Sequence, residues 1–136
     1  GLLQETYKAK VKALQLDDKI IFKGVVQNPF SIFKKALFTI LSSKNEGFPT
    51  VLLESLACET PVVAFDCFSG PNEIITDRFN GLLVLNQNRE KLTEAINEMV
   101  FNKNLYYHCK ENAKQSVARF ELQTIGKQWL NLLNIK

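Results

Sequence analysis

The chain is short of the residues that most metal and redox sites need. It has one histidine, His108, so no His-rich metal site can be assembled. Beside Tyr106 and Tyr107, that histidine reads as structural. The cysteines are Cys58, Cys67 and Cys109; their number is odd and no two share a C-x-x-C spacing. They read as reduced thiols of a cytosolic protein. No apolar run approaches the length that spans a bilayer. The opening Gly1-Leu2-Leu3-Gln4-Glu5 lacks the basic region and apolar run of a signal peptide. The formal net charge of +3 is too small to demand a nucleic-acid partner. It leaves room for weak attraction to an anionic membrane surface, so any membrane role is expected to be peripheral. No internal repeat, linker or low-complexity tract divides the chain.

What is present suits one globular domain. A chain of 136 residues buries roughly two-thirds of its unfolded surface. Leu3, Tyr7, Val11 and Leu14 recur at helical spacing, which predicts a helix over 2–14. Lys19 to Val26 is rich in β-formers and predicts a strand. Asn28-Pro29 predicts a helix start, with Asn28 as cap and a short helix over 29–36. Apolar runs at 36–41, 61–65 and 82–85 predict buried strands, the last behind the turn signal Asn80-Gly81. Helices are expected over 49–58 and, briefly, from Pro71. From residue 88 onward the chain reads as helical, with stripes such as Leu92, Ala95, Ile96 and Met99. Further helices are expected over 103–118 and 121–134.

Strands alternating with helices imply an α/β domain: a Rossmann-like parallel sheet with helices on both faces. Ligands of such sheets bind beyond the carboxyl ends of the strands. The loops Ser42–Phe48 and Asp66–Gly70 both run from a strand end into a helix start, so they mark that edge. In the helix that follows the first loop, Glu54 interrupts Val51, Leu52, Leu53, Leu56 and Ala57. A carboxylate there must reach solvent or find donors. Vicinal hydroxyls, as in a ribose, would satisfy both of its oxygens. Glu46 precedes Gly47-Phe48-Pro49 in the loop; Gly47 permits close backbone approach. Unpaired amides at the helix start suit a phosphate. Periodicity alone fits two simpler readings equally well: a solvated loop carboxylate for Glu46 and a surface-facing helix position for Glu54. Ser69 is read as a cap for the helix near Pro71 as much as a ligand contact, and Glu73 as an electrostatic aid to that helix start.

The run Ser43-Lys44-Asn45-Glu46-Gly47-Phe48-Pro49-Thr50-Val51-Leu52-Leu53-Glu54 resembles the donor-binding motif of GT4-type retaining glycosyltransferases. The resemblance extends through Thr60-Pro61-Val62-Val63-Ala64, Ser69-Gly70-Pro71-Asn72-Glu73 and Asn80-Gly81-Leu82-Leu83-Val84. It implies a GT-B architecture of two Rossmann-like domains, with residues 1–136 as part of the second, donor-binding domain and 88–136 as its closing helices. It implies that Glu46 is the catalytic-site residue, meeting donor-sugar hydroxyls near the anomeric carbon. Glu54 would bind the ribose, and the backbone around Gly47, Phe48 and Thr50 would face the diphosphate. Residues near Val25 and Val26 would lie by the base. No metal or cofactor is implied. The partners implied are a UDP- or GDP-sugar and an acceptor-binding N-terminal domain that these residues do not contain. In the family's sheet two strands from the part of the domain upstream of Gly1 lie between the strand at 20–26 and the strand at 37–41, and the family's basic residues for the diphosphate, also upstream, have no match here. Glu59 stands where the family has a helix-ending glycine. The implied process is synthesis of cell-surface polysaccharide or glycolipid, in the cytoplasm, with room for peripheral contact at the inner membrane face. Two alternatives stand beside it: a nucleotide-sugar epimerase of the same fold, and a non-catalytic α/β interaction module.

Overall fold

A computed structural model describes residues 2–134; Gly1 and 135–136, the two ends of the expected domain, lie outside the described residues. The elements in chain order are α1 (Gln4–Ala13), α2 (Phe30–Phe33), β1 (Thr39–Leu41), α3 (Thr50–Ala57), β2 (Val62–Asp66), α4 (Pro71–Ile74), β3 (Gly81–Leu85), α5 (Arg89–Phe101), α6 (Lys103–Ser116), a 3-10 turn (Ala118–Phe120) and α7 (Leu122–Leu132). The strands form one parallel sheet in the order β1-β2-β3. Ile40 pairs with Val63, and Val63 with Leu82.

β2 shows why its sequence is a continuous apolar run. Side chains of a strand alternate between the two faces. Val62 and Ala64 enter one core with Leu52, Leu56, Ile74 and Ala113. Val63 and Phe65 enter the other with Leu82, Ala95, Met99 and Cys109. A strand covered on both faces has no polar side to show. These two clusters hold the domain together. Each buried leucine is worth about 2–5 kcal/mol on truncation, whereas an exposed ion pair such as Arg78–Glu98 adds less than about 1 kcal/mol. That pair's hydrogen bond holds the Glu98 carboxyl below the ordinary carboxylate range.

Buried polar groups are paired. Asn80 is fully buried; its Oδ1 accepts from the Thr76 amide at 2.9 Å, and its Nδ2 donates to the Ile74 carbonyl at 3.0 Å and to Ser116 Oγ at 2.8 Å. The Asn80-Gly81 turn signal therefore marks a cross-link to α6. Gly81 follows because a Cβ there would sit 2.3 Å from the Val62 carbonyl oxygen. Ser55 Oγ lies 2.8 Å from Thr39 Oγ1 and 3.0 Å from the Thr60 carbonyl, joining α3 to both strands. Burial pushes the Cys109 thiol up to about 11, so it stays protonated at neutral pH. His108 is exposed, its ring 5.9 Å from that of Phe79.

The α/β class, the three parallel strands and the late helices match expectation, with ends shifted by a few residues. The run 36–41, expected as a buried strand, is instead the short β1 with no buried residue and Ile40 exposed, because it stands at the sheet edge beside β2 alone. Asn88 caps α5 by accepting from the Lys91 amide. Three further readings need correction. The expected strand over 19–26 does not form: among the described residues it pairs with no strand, and Ile21 and Val25 are exposed. β-propensity reports which side chains suit a pleated, half-buried surface; a strand also needs a neighbour to complete its ladder, and β1 is bonded only to β2. The expected Asn28 cap is the second. Pro29 takes the N-cap position of a four-residue α2, with no side-chain cap bond. The third concerns Ser69 and belongs to the site.

Glu59 occupies the left-handed position past α3, with φ of +61°. Its amide bonds to the Leu56 carbonyl and the Thr60 amide to that of Ser55, the Schellman pattern. The helix end thus keeps the glycine-type geometry, at a cost of about 1–2 kcal/mol for a residue bearing a Cβ.

Candidate functional site

The carboxyl ends of β1 and β2 open onto the two loops expected there, and the structure brings these loops into contact. Ser69 Oγ donates to the Gly47 carbonyl at 2.9 Å. This is the third correction: Gly70, not Ser69, is the N-cap of α4, with no side-chain cap, and the Ser69 hydroxyl is committed to the other loop. Glu73 does lie in the first turn of α4, as expected.

Gly70 makes the contact close. Its φ is +91°, and a Cβ there would lie 2.4 Å from Pro49 Cδ and 2.8 Å from the Gly47 oxygen. Asn86, just past β3, donates Nδ2 to the Lys44 carbonyl at 3.3 Å. The loop from Ser42 to Pro49 is therefore tied to the segments that follow β2 and β3.

Within α3, Leu52, Ser55 and Leu56 are buried. At 100° per residue, Thr50 and Glu54 fall on the opposite, open face. Thr50 is exposed and Glu54 half-buried. Pro49 sits at the N-cap without a side-chain cap bond, so the first amides of α3 are open to an anion. Glu46 is half-buried; Gly47 and Phe48 are exposed. Ion pairs among the described residues join Lys8–Glu5, Arg78–Glu98, Lys91–Glu94 and Lys114–Glu59. Neither Glu46 nor Glu54 takes part, so both carboxylates are uncommitted. The segment from Glu46 to Glu54 thus offers two carboxylates, an uncapped helix start and an exposed glycine. That combination matches a ligand with hydroxyls at both ends and negative charge between them.

Val25 and Val26 lie on the unpaired run before α2 and are exposed. A separate cleft of about 370 Å³ runs between β3 and α5, lined by Asp77, Arg78, Leu83, Asn88 and Glu98 among others. Among the described residues no group of three His, Cys, Asp or Glu side chains could hold a metal ion, and no helix is long and apolar enough to cross a membrane. Sequence reasoning missed Asn86 and the aromatic Phe120, whose ring lies 5.6 Å from that of Phe48. Neither carries a local signal, because both act across the fold.

Comparison with known proteins identifies the family and the fold. The family described as Glycosyl transferases group 1 matches residues 1–116. A Campylobacter jejuni N-acetylgalactosamine-N,N'-diacetylbacillosaminyl-diphospho-undecaprenol 4-alpha-N-acetylgalactosaminyltransferase is 33% identical over 133 residues, which cover 98% of this chain and 36% of that protein. A Bacillus subtilis poly(glycerol-phosphate) alpha-glucosyltransferase is 30% identical over 130 residues, covering 96% of this chain and 19% of its own length. The chain therefore spans well under half the length of these relatives. The structure of TarM superposes with a TM-score of 0.88 at 26% identity, covering 98% of this chain and 27% of the other. A Staphylococcus aureus TarM variant solved with UDP superposes with a TM-score of 0.86 at 25% identity, covering 97% and 27%. On these grounds the chain belongs to the group 1 glycosyl transferase family.

Proposed function

We propose that residues 1–136 form part of the donor-binding domain of a retaining glycosyltransferase, with 88–136 as its closing helices. The intact protein transfers a sugar from a UDP- or GDP-sugar to a glycan or lipid-linked acceptor in cell-surface polysaccharide or glycolipid synthesis. The observation that carries this reading is the Glu46–Glu54 segment at the carboxyl edge of the sheet. There two uncommitted carboxylates flank an uncapped helix start. The names of the relatives, and the UDP bound to the TarM variant, support the substrate class.

Each residue then has a task set by its chemistry. Glu54 accepts hydrogen bonds from the two ribose hydroxyls, charge-assisted bonds that are about twice as strong as neutral ones. The amides of Thr50 and Val51, at the positive end of α3, face the diphosphate and stabilise charge that grows as the sugar–phosphate bond breaks. Gly47 lets the backbone approach the donor, and Phe48 flanks it. Glu46 accepts from hydroxyls of the donor sugar and fixes its anomeric carbon toward the acceptor. The acceptor-binding domain and the basic groups for the diphosphate come from the rest of the protein, which works in the cytoplasm with peripheral contact at the inner membrane face.

The test uses the full-length protein with UDP- and GDP-sugars, with and without a lipid-linked glycan acceptor. The expected result is acceptor-dependent transfer with retained anomeric configuration. Donor converted to an epimerised nucleotide sugar in the absence of acceptor would instead identify an epimerase.

A further inference from the structure

Behind the loop that carries Glu46 and Gly47 stands an aromatic support from the far end of the chain. Phe120 lies in the 3-10 turn after α6, half-buried against the core of Leu52, Leu56 and Ile74. Its ring meets that of Phe48 edge-on, at 5.6 Å between centroids and 62° between planes. The Arg119 guanidinium lies 4.6 Å from the Phe120 ring centroid and donates to the Glu73 carbonyl in α4. The turn is thereby anchored to the helix that begins at Gly70, the residue pressed against Pro49 and Gly47. Phe48 is 43% exposed, and Phe120 covers part of its ring. This turn lies just past residues 1–116, the stretch matched by the family.

We propose that Phe120 is a positioning residue for nucleotide-sugar binding: through Phe48 it holds the Glu46–Gly47 backbone in its binding-ready conformation, and Arg119 holds Phe120. The claim rests on the donor-binding reading of the Glu46–Glu54 segment. A loop ordered before binding does not have to be ordered by the ligand, and the difference appears as affinity. An edge-to-face aromatic pair supplies enough for about a tenfold change in Kd.

The experiment uses the full-length protein and two readouts. Order at the Gly47 and Phe48 amides, from 15N relaxation, needs no ligand and tests the hold itself. Affinity for UDP tests its consequence. Phe120→Ala should loosen both amides and raise the UDP Kd about tenfold. Phe120→Leu keeps the apolar contact with the core, so the domain folds, and should still raise the Kd several-fold. Phe120→Tyr, which restores the ring, should bind within twofold of wild type; a residue that merely fills space would not discriminate in this order. Unchanged amide order in Phe120→Ala and Phe120→Leu overturns the proposal. Loosened amides with UDP affinity within twofold of wild type overturn the positioning role. A full-length wild-type protein that binds neither UDP nor GDP, and is matched in this by Glu54→Ala, fails the donor-binding reading and the positioning role with it. The amide readout still reports whether Phe120 holds the loop.

Discussion

Glu54→Ala is expected to weaken binding of a UDP-sugar by about 10- to 100-fold while leaving the melting temperature within about 3 °C of wild type. The size follows from the chemistry. A carboxylate accepting from two ribose hydroxyls makes charge-assisted bonds worth about 1.5–3 kcal/mol, and each 1.4 kcal/mol is tenfold in Kd. The small effect on stability follows from position. Glu54 faces away from the buried Leu52–Ser55–Leu56 side of α3 and has no ion-pair partner among the described residues. Substitutions at such sites usually fall within about 0.5 kcal/mol. Calorimetric titration alongside thermal melts separates the two. Equal affinity in the variant would return Glu54 to a surface-facing helix position with no ligand role.

Gly70→Ala is expected to have the opposite profile, destabilising the domain by roughly 3 kcal/mol and disturbing the donor loop together. Two costs combine. A φ of +91° is strained for any residue with a Cβ, typically about 1–3 kcal/mol. That Cβ would also sit 2.4 Å from Pro49 Cδ, 2.8 Å from the Gly47 oxygen and 3.2 Å from Phe48 Cα. Two of these three atoms are backbone, so no side-chain rotation relieves the clash, and overpacking of this kind costs about 1–3 kcal/mol. The loop must move, and Gly47 moves with it. Gly126→Ala supplies the contrast: a Cβ there meets nothing within 4 Å, and the residue lies in α7. Alanine in place of glycine inside a helix should be neutral or stabilising by up to about 1 kcal/mol. Urea unfolding of both variants decides the matter. If Gly70→Ala is as mild as Gly126→Ala, the close packing of the two loops is not what holds the site.

The sheet was legible because its burial writes itself into composition. Val62 to Phe65 are apolar without interruption since helices cover both faces, and Gly81 begins β3 where the backbones come close. The loops at 42–48 and 66–70 followed from strand direction alone, and the motif around Glu46 and Glu54 gave those residues roles. Legibility ended where a contact depends on something distant. Lys19 to Val26 has strand composition, yet composition cannot supply a neighbouring ladder. Ser69 obeys a local capping rule, but its hydroxyl serves a carbonyl 22 residues earlier. Phe120 looks like one more core aromatic until its ring is found against Phe48. These are tertiary contacts overriding local preference, and two of the three gather at the loop from Glu46 to Pro49.

Whether the Glu46–Glu54 segment receives the nucleotide sugar is tested most directly by titrating the 15N-labelled full-length protein with UDP and with GDP. The account predicts amide shifts concentrated at residues 46–54 and 69–70, saturable and absent in Glu54→Ala. Shifts that avoid this segment and fall instead on the cleft between β3 and α5, around Asp77, Asn88 and Glu98, would contradict it.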